Sequence, residues 1–468
     1  MDQFSCLAID MGAGSIRIML GEFSDKLTLT EVHRFANEII VENGHEHWDL
    51  ERITNEIKKG LEKAAKLSVY PIQSVAVDSW GVDHVLLNND LKPVANPFAY
   101  RDRRTDGMQE KWENEFLSGR ETFERTGINF YPFNTLFQFL SVEDKSEFTQ
   151  VRAILFMANY IAFYLSGVLN NELSLCSTSQ MIHIATNTWD ELILKKLALK
   201  TGQFSEPQQC GTVIGNVKPE FELPDVKVCL APSHDTASAI EAIPATTDNY
   251  AYISTGTWCI MGMKSTIPIT NELAFTEGIT NEITSPGNIK VHKNAMGLWL
   301  IQKLRDELFP DVSYGELEQR ISVSGSTGIT IDPNDNRLYN PESMKRTFDE
   351  LVAEAGYQAF NNPLEYFWCA YESLAFSFKG ILDVLMTLRN RRFDCLHMLG
   401  GGIQSELLCR LTANAVGVPV HAGPVEGATI GNMLWQSVAM GYYGSIEEAH
   451  KIVGTSFGIK TYYPVEPE

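Results

Sequence analysis

Basic residues are scarce in this 468-residue chain: 38 Lys and Arg stand against 59 Asp and Glu, a formal net charge of −21. That balance argues against nonspecific binding to nucleic acid or to anionic membranes, since both need a basic surface. It leaves phosphate ligands open, because backbone N–H groups and a metal ion hold them without net positive charge. No apolar run approaches the roughly 18 residues of a membrane-spanning helix. The start, Met1-Asp2-Gln3-Phe4-Ser5, lacks the basic stretch of a secretory leader. None of the eight cysteines forms a Cys-x-x-Cys pair, so a structural zinc site is not expected. Several lie in apolar runs such as Ser5-Cys6-Leu7-Ala8-Ile9, where Cys acts as a small core hydrophobe. Reduced thiols in a cytoplasmic protein are the expectation. The Gly-Lys-Ser/Thr ending of a Walker A loop and the Gly-x-Gly-x-x-Gly of a dinucleotide fold are missing too.

What is present reads as a two-domain α/β protein. Hydrophobic residues at 44% and charged residues at 21% exclude a disordered or fibrous chain. The length exceeds one ordinary core, at ~100–200 residues per domain. Phe4–Ile9 predicts a buried strand ending at Asp10, Ile16–Leu20 an antiparallel return, and Leu27–Val32 a third strand. A helix from about Asp49 places Leu50, Ile53, Ile57, Leu61 and Ala64 on one face. Val75-Ala76-Val77 is another strand. The theme restarts near residue 250: strand Tyr252-Ile253-Ser254, polar turn, then an apolar strand from Trp258 to Met263. A long amphipathic helix covers Asn362 to Met386, followed by the strand Cys395–Leu399, three glycines and a helix from Ser405 to Val416. Two halves that open alike suggest a duplicated architecture. The linker Pro244-Ala245-Thr246-Thr247-Asp248-Asn249 divides the chain into 1–245 and 246–468. A ligand cleft between two lobes is the expectation.

Seven stretches are candidates for chemistry. Asp10-Met11-Gly12-Ala13-Gly14-Ser15-Ile16-Arg17 puts a carboxylate at a strand end before a tight turn of small residues, which suits phosphate and its metal. Alone, it also fits a plain hairpin. Ser254-Thr255-Gly256-Thr257-Trp258 is its counterpart in the second half. Leu399-Gly400-Gly401-Gly402-Ile403-Gln404-Ser405 offers bare backbone to a flat nucleotide base, or only a helix entry. Ser233-His234-Asp235-Thr236 gathers four hydrogen-bonding side chains where a helix N-cap needs one, so Asp235 is a candidate general base. Asp78-Ser79-Trp80-Gly81-Val82-Asp83 sets polar groups beside an aromatic, a composition suited to a sugar. Tyr100-Arg101-Asp102-Arg103-Arg104 is a charged turn, equally readable as a solvated ion-pair cluster. His45-Glu46-His47 lacks a third ligand nearby and is a weak metal candidate.

Taken together the chain resembles the FGGY carbohydrate kinases, of the actin-like (ribonuclease H-like) ATPase architecture. The resemblance runs from Ala8-Ile9-Asp10-Met11-Gly12-Ala13 to Ala422-Gly423-Pro424-Val425-Glu426. It is carried most specifically by the Asp78–Asp83 and Ser233–Ala239 stretches, Ala99-Tyr100-Arg101-Asp102-x-Arg104-Thr105, Pro132-Phe133-Asn134-Thr135-Leu136 and Lys293-Asn294-x-Met296-Gly297-Leu298-Trp299. These point to the branch that phosphorylates the ketose L-rhamnulose.

The resemblance implies two ATPase domains with mixed sheets flanked by helices, and an active site in the interdomain cleft. It implies that 1–245 binds sugar and 246–468 nucleotide, with ATP and Mg²⁺ as the cofactors. Ala13, Gly14, Ser15, Ile16 and Arg17 would form the first phosphate loop, with Asp10 near the metal. Gly81, His234, Asp235, Thr236 and Asn294 would contact the ketose, and Asp235 would accept its proton. Thr257, Gln302 and Gly400 would contact ATP. A small-molecule ketose and ATP are the expected partners, with no nucleic acid and no membrane. Rival expectations are the same chemistry on L-fuculose or L-xylulose, a non-metabolic actin-like ATPase, or a silent sugar sensor.

Overall fold

The computed structural model describes residues 3–465, so Met1 and Asp2 of the leader reading lie outside it. The chain forms two compact units. The first runs to Pro244 and adds Ser265–Val291 and Glu426–Phe457; the second takes Ala245–Lys264, His292–Val425 and the chain from Gly458. The sequence suggests a single crossing near residues 244–249. The chain in fact crosses again after Lys264, Val291, Val425 and Phe457. The crossing after Val291 falls inside a strand and the one after Val425 directly before a helix. No break in composition marks either.

The first unit is built on a mixed six-stranded sheet. Its strands are β1 (Phe4–Met11), β2 (Ser15–Phe23), β3 (Leu27–Ala36), β4 (Ile72–Ser79), β5 (Thr212–Asn216) and β6 (Lys227–Leu230), in the order β5-β6-β4-β1-β2-β3. β1 is antiparallel to β2 and parallel to β4. Every residue of β1 is buried, which is why it reads as a continuous apolar run and not an alternating one. Helix α1 (Leu50–Leu67) starts where the Asp49 side chain accepts from Arg52 N, and buries the apolar stripe read from the sequence. Gly60 lets it approach closely, because a Cβ there would lie 2.7 Å from Ile18 Cδ1. Helix α2 (Asp235–Glu241) follows β6.

The second unit repeats the opening. β7 (Tyr250–Thr255) and β8 (Trp258–Ser265) form an antiparallel hairpin. β9 (Thr280–Ser285) and β10 (Asn288–Met296) lead the chain from the first unit back into the second, where α3 (Trp299–Leu308) and α4 (Pro363–Arg389) follow. A capping box at Asn362 and Glu365 starts α4, with Pro363 as its first residue. β11 (Cys395–Gly400) lies parallel to β7, as β4 does to β1. After α5 (Glu406–Val416), β12 (Val420–Ala422) extends the sheet. The chain then returns to the first unit as α6 (Gly427–Ala439), and β13 (Lys460–Tyr462) closes the second sheet. Helix α6 completes the core of the first unit: Ile430, Met433 and Leu434 pack with Cys6, Ala8, Met19 and Phe23.

All eight cysteines are unpaired, and burial pushes the thiols of Cys229, Cys259 and Cys369 up to about 12. Among the described residues no helix is long and apolar enough to cross a membrane.

Candidate functional site

In the first unit the strand ends converge on a group of carboxylates. Asp10 pairs in register with Arg17 on β2 and with Asp78 on β4, so the three side chains share one face of the sheet. Arg17 donates to Asp10 Oδ2 and, at 2.6 Å, to Glu426 Oε2. Burial works against the Arg17 charge, yet the two carboxylates hold the guanidinium above its ordinary value. Thr429 Oγ1 donates to the same Asp10 oxygen at 3.2 Å. Asp78 is fully buried; its Oδ2 accepts from Asn432 Nδ2 at 2.7 Å, while its Oδ1 has no partner among the described residues. Burial raises the Asp78 carboxyl well above the usual range, and the negative charge of Asp10 adds to it.

The β1–β2 turn closes where Gly12 N donates to Ser15 O at 3.0 Å, with Gly14 exposed at its tip. Ala13, Gly14 and Ser15 form this open turn. Ile16 differs from its neighbours: its side chain is fully buried in the sheet core, paired between Met11 and Phe35.

His234, Asp235 and Thr236 sit at the head of α2. Ser79 N donates to Ser233 O at 2.8 Å, and Ser79 and His234 bridge, so the end of β4 fixes this turn beside the Asp78 carboxylate. Glu172, buried and pushed up to about 7, accepts from Ser233 N, Leu175 N and Ser174 Oγ and braces the turn from behind. Asp235 Oδ1 accepts from Thr236 N at 2.5 Å and from Thr236 Oγ1 at 3.1 Å. Among the described residues no hydrogen bond engages Asp235 Oδ2. A third of the side chain meets solvent, but the crowded surroundings raise the carboxyl. Asp10 adds to that rise; His234 and Lys290 oppose it. Gly81 lies in the turn after β4, where a Cβ would press on Thr178 at 3.1 Å.

Below that turn Asp83 is wholly buried. Its Oδ2 accepts from Trp48 Nε1 at 2.7 Å, Trp80 Nε1 at 2.9 Å and Tyr100 N at 3.1 Å, and its Oδ1 from Gln138 Nε2 at 2.9 Å. Burial still pushes it up to about 6. Asp83→Asn would turn an amide N–H₂ toward a donor on one side. A loss of about 2 kcal/mol is expected, the usual cost of a buried unsatisfied group, read as a lower urea midpoint with unchanged slope.

In the second unit the β7–β8 turn holds Gly256 and exposed Thr257. Leu298 N donates to Gly256 O at 2.8 Å and Trp299 N to Thr257 O at 3.3 Å, seating the start of α3 on this turn. Gly297 permits it, since a Cβ would fall 2.6 Å from Gly256 O. Gln302 lies in the first turn of α3. Asn294, on β10, has a buried Oδ1 without a partner among the described residues. At the end of β11, Gly400 has φ +82° and a Cβ would strike Thr255 O at 2.3 Å; Gly402 packs on the Thr255 side chain. Only Gly401 of the three is exposed, with open space at its Cβ position. The glycine run is thus required by packing at two positions and bare at one.

Within the first unit Asp10, Arg17, His234, Asp235 and Thr236 fall near one another, with Gly81 after β4. Thr257, Asn294, Gln302 and Gly400 belong to the second. Glu426, Thr429 and Asn432 on or beside α6, Lys290 on β10 and Glu282 on β9 contact these groups, and none of them was a candidate site residue from the sequence. His45 and His47 are engaged with Asp102 and Asn96 O.

Residues 5–225 match the N-terminal domain, and residues 251–440 the C-terminal domain, of the FGGY family of carbohydrate kinases. A rhamnulokinase of Klebsiella pneumoniae is 36% identical over 466 residues, covering 98% of this chain and 94% of the relative. The rhamnulokinase of a second strain matches at 36% over 465 residues. Ligand-bound xylulose kinase from Lactobacillus acidophilus superposes with a TM-score of 0.83 at 17% identity, over 99% of this chain and 94% of that one. Plasmodium falciparum glycerol kinase with ADP gives 0.81 at 14%, with the same coverages. At such identities the solved structures speak for the fold alone.

Proposed function

Because the chain belongs to the FGGY family of carbohydrate kinases, we propose that it transfers the γ-phosphoryl group of ATP to the C1 hydroxyl of L-rhamnulose in rhamnose catabolism. The observation that carries this reading is the full-length likeness to rhamnulokinases. The chemistry at Asp235 supports it. A primary hydroxyl is a weak nucleophile, and a recessed carboxylate with one oxygen left open is suited to take its proton as the phosphoryl group is attacked in line. We assign Gly81, His234, Asp235, Thr236 and Asn294 to the sugar. The orphaned Oδ1 of Asn294 and the donors around Asp235 are groups that a polyol can satisfy.

To the nucleotide we assign Ala13–Arg17, Thr257, Gln302 and Gly400, with residues 1–245 chiefly serving sugar and 246–468 nucleotide. From Ile16 the contribution is its backbone, the side chain being in the core. Asp10 and Asp78 present hard oxygen donors at adjacent strand ends, and the partnerless Oδ1 of Asp78 fits a cation such as Mg²⁺. When bound with ATP, Mg²⁺ supplies neutralisation of charge on the transferring group. Arg17, held by Asp10 and Glu426, adds fixed positive charge. An ATP-dependent reaction and unpaired thiols fit the cytoplasm, the compartment we assign.

Two measurements check this reading. ADP release should be measured with L-rhamnulose, L-fuculose, L-xylulose and no sugar. L-rhamnulose should give the highest kcat/KM; a higher value for another ketose moves the substrate, and sugar-independent ADP release refutes the kinase. Gly401→Leu should keep the fold, having room at its Cβ, and raise the ATP KM while sparing that of the sugar. An unchanged ATP KM removes the glycine run from the nucleotide site.

A further inference from the structure

Behind the proposed base lies a buried cation that the reaction scheme above leaves idle. Lys290, on β10, is entirely excluded from solvent. Buried lysines are rare and need paired, hydrogen-bonded surroundings. Its Nζ stands 2.6 Å from Glu282 Oε2 on β9 and 3.0 Å from Nδ1 of His234. The same glutamate oxygen is 3.0 Å from that ring nitrogen, and the opposite ring nitrogen, Nε2, is 3.4 Å from Asp235 Oδ1. The imidazole is therefore held between a Lys–Glu pair and the carboxylate.

An ammonium has only donors, so a Lys290 N–H directed at Nδ1 requires a lone pair there. In the neutral ring the proton then sits on Nε2, toward Asp235. We infer that Lys290 is a positioning residue for Asp235, acting by fixing the Nε2–H tautomer of His234. The inference rests on the reading of Asp235 as the base. With Nε2–H facing it, Oδ1 gains a donor and Asp235 is favoured as the carboxylate, leaving Oδ2 for the substrate proton. With the other tautomer a lone pair would face Oδ1, and the protonated, useless form of Asp235 would be favoured. Among the described residues the other charged groups around Asp235 include Asp10 on β1, its partner Arg17 on β2 and Asp78 on β4, with Glu282 reaching it through His234 and Glu172 bracing the turn from behind. Burial and the charge of Asp10 oppose ionisation of Asp235, which is where a fixed donor matters.

The first test needs no variant. Imidazole ¹⁵N spectra of the intact protein at neutral pH should show His234 protonated on Nε2 with Nδ1 as an acceptor; a proton on Nδ1, given to Glu282, overturns the inference. Two double variants then read the catalytic consequence, each removing one charge of each sign. Lys290→Met/Glu282→Leu leaves nothing to donate to Nδ1. Lys290→Met/Glu282→Gln restores a donor through the amide. The first should lower kcat roughly tenfold, about one hydrogen bond's worth, and move the acid limb of kcat/KM upward by roughly one pH unit. The second should regain most of both. Equal behaviour of the two folded variants, or an unmoved acid limb in the first, defeats the positioning role. Because the ¹⁵N spectra do not depend on turnover, an active Asp235→Asn protein would overturn the base assignment without deciding the tautomer.

Discussion

Asp235→Asn is expected to give a folded protein that binds sugar and ATP and turns over roughly 10²–10⁴-fold more slowly, the usual share of general-base catalysis. The alternative role is local. Asp235 is the first residue of α2 and its Oδ1 accepts from Thr236 N, while the N-cap itself, His234, makes no side-chain cap. An Asn amide oxygen takes over that hydrogen bond, since Asn and Asp serve helix starts about equally well. Stability should therefore change little, and a melt beside the kinetics separates the two roles. If the carboxylate only supports the helix, turnover stays within about fivefold of the parent. If it accepts the proton, the amide cannot replace it. The acid limb of the parent's kcat/KM carries the same information. Asp235 must be ionised to act, and its surroundings raise it, so activity should fail on acidification earlier than for an ordinary exposed aspartate.

Gly431→Ala is expected to destabilise the first unit by about 3 kcal/mol, an overpacking cost at the upper end of the usual range. Gly431 lies in α6 where that helix crosses α2 at backbone contact. A Cβ would fall 1.8 Å from Ser238 O and 2.7 Å from Ser238 C, and a carbonyl in a helix cannot turn aside. The helices must separate. Moving α6 displaces Thr429 from Asp10 and Asn432 from Asp78, so kcat should fall with the urea midpoint. Gly427→Ala, whose Cβ would meet Ala239 Cβ at 3.3 Å, is the milder control on the same face. A Gly431→Ala protein as stable as the parent would show that the crossing tolerates a methyl group.

Much of the frame was legible because its patterns are local. The β1–β2 hairpin, the stripe of α1, the long α4 and the glycine turn after β11 all follow from periodicity and turn residues within one stretch. Asp10 and Asp235 stood out because each closes or follows a strand with polar groups bunched around it. Helix α6 did not. Nearly all its residues through Ser437 are buried, including Asn432 and Gln436, so it presents no polar face for periodicity to find. Its polar residues serve partners far away in sequence. Ser74 Oγ donates to Gln436 Oε1, Gln436 Nε2 donates to Asn432 Oδ1, and Asn432 donates onward to Asp78. Lys290 and Glu282 were hidden for the same reason: in a strand each is one more charged residue until the fold sets it against His234. Asp83 lies in the stretch read as suited to a sugar, and the fold turns its carboxylate to the indole N–H groups of Trp48 and Trp80, the first of them 35 residues away in sequence.

The proposed reaction moves a phosphoryl group from ATP to one hydroxyl of one ketose. Its most direct test is ³¹P and ¹³C NMR of the product formed from ATP and L-rhamnulose. The expected product is one phosphomonoester whose phosphorus couples to C1 through two bonds and to C2 through three, formed in equal amount with ADP. Inorganic phosphate as the main product, or phosphorus coupling that places the ester on the oxygen of any other carbon, would contradict it.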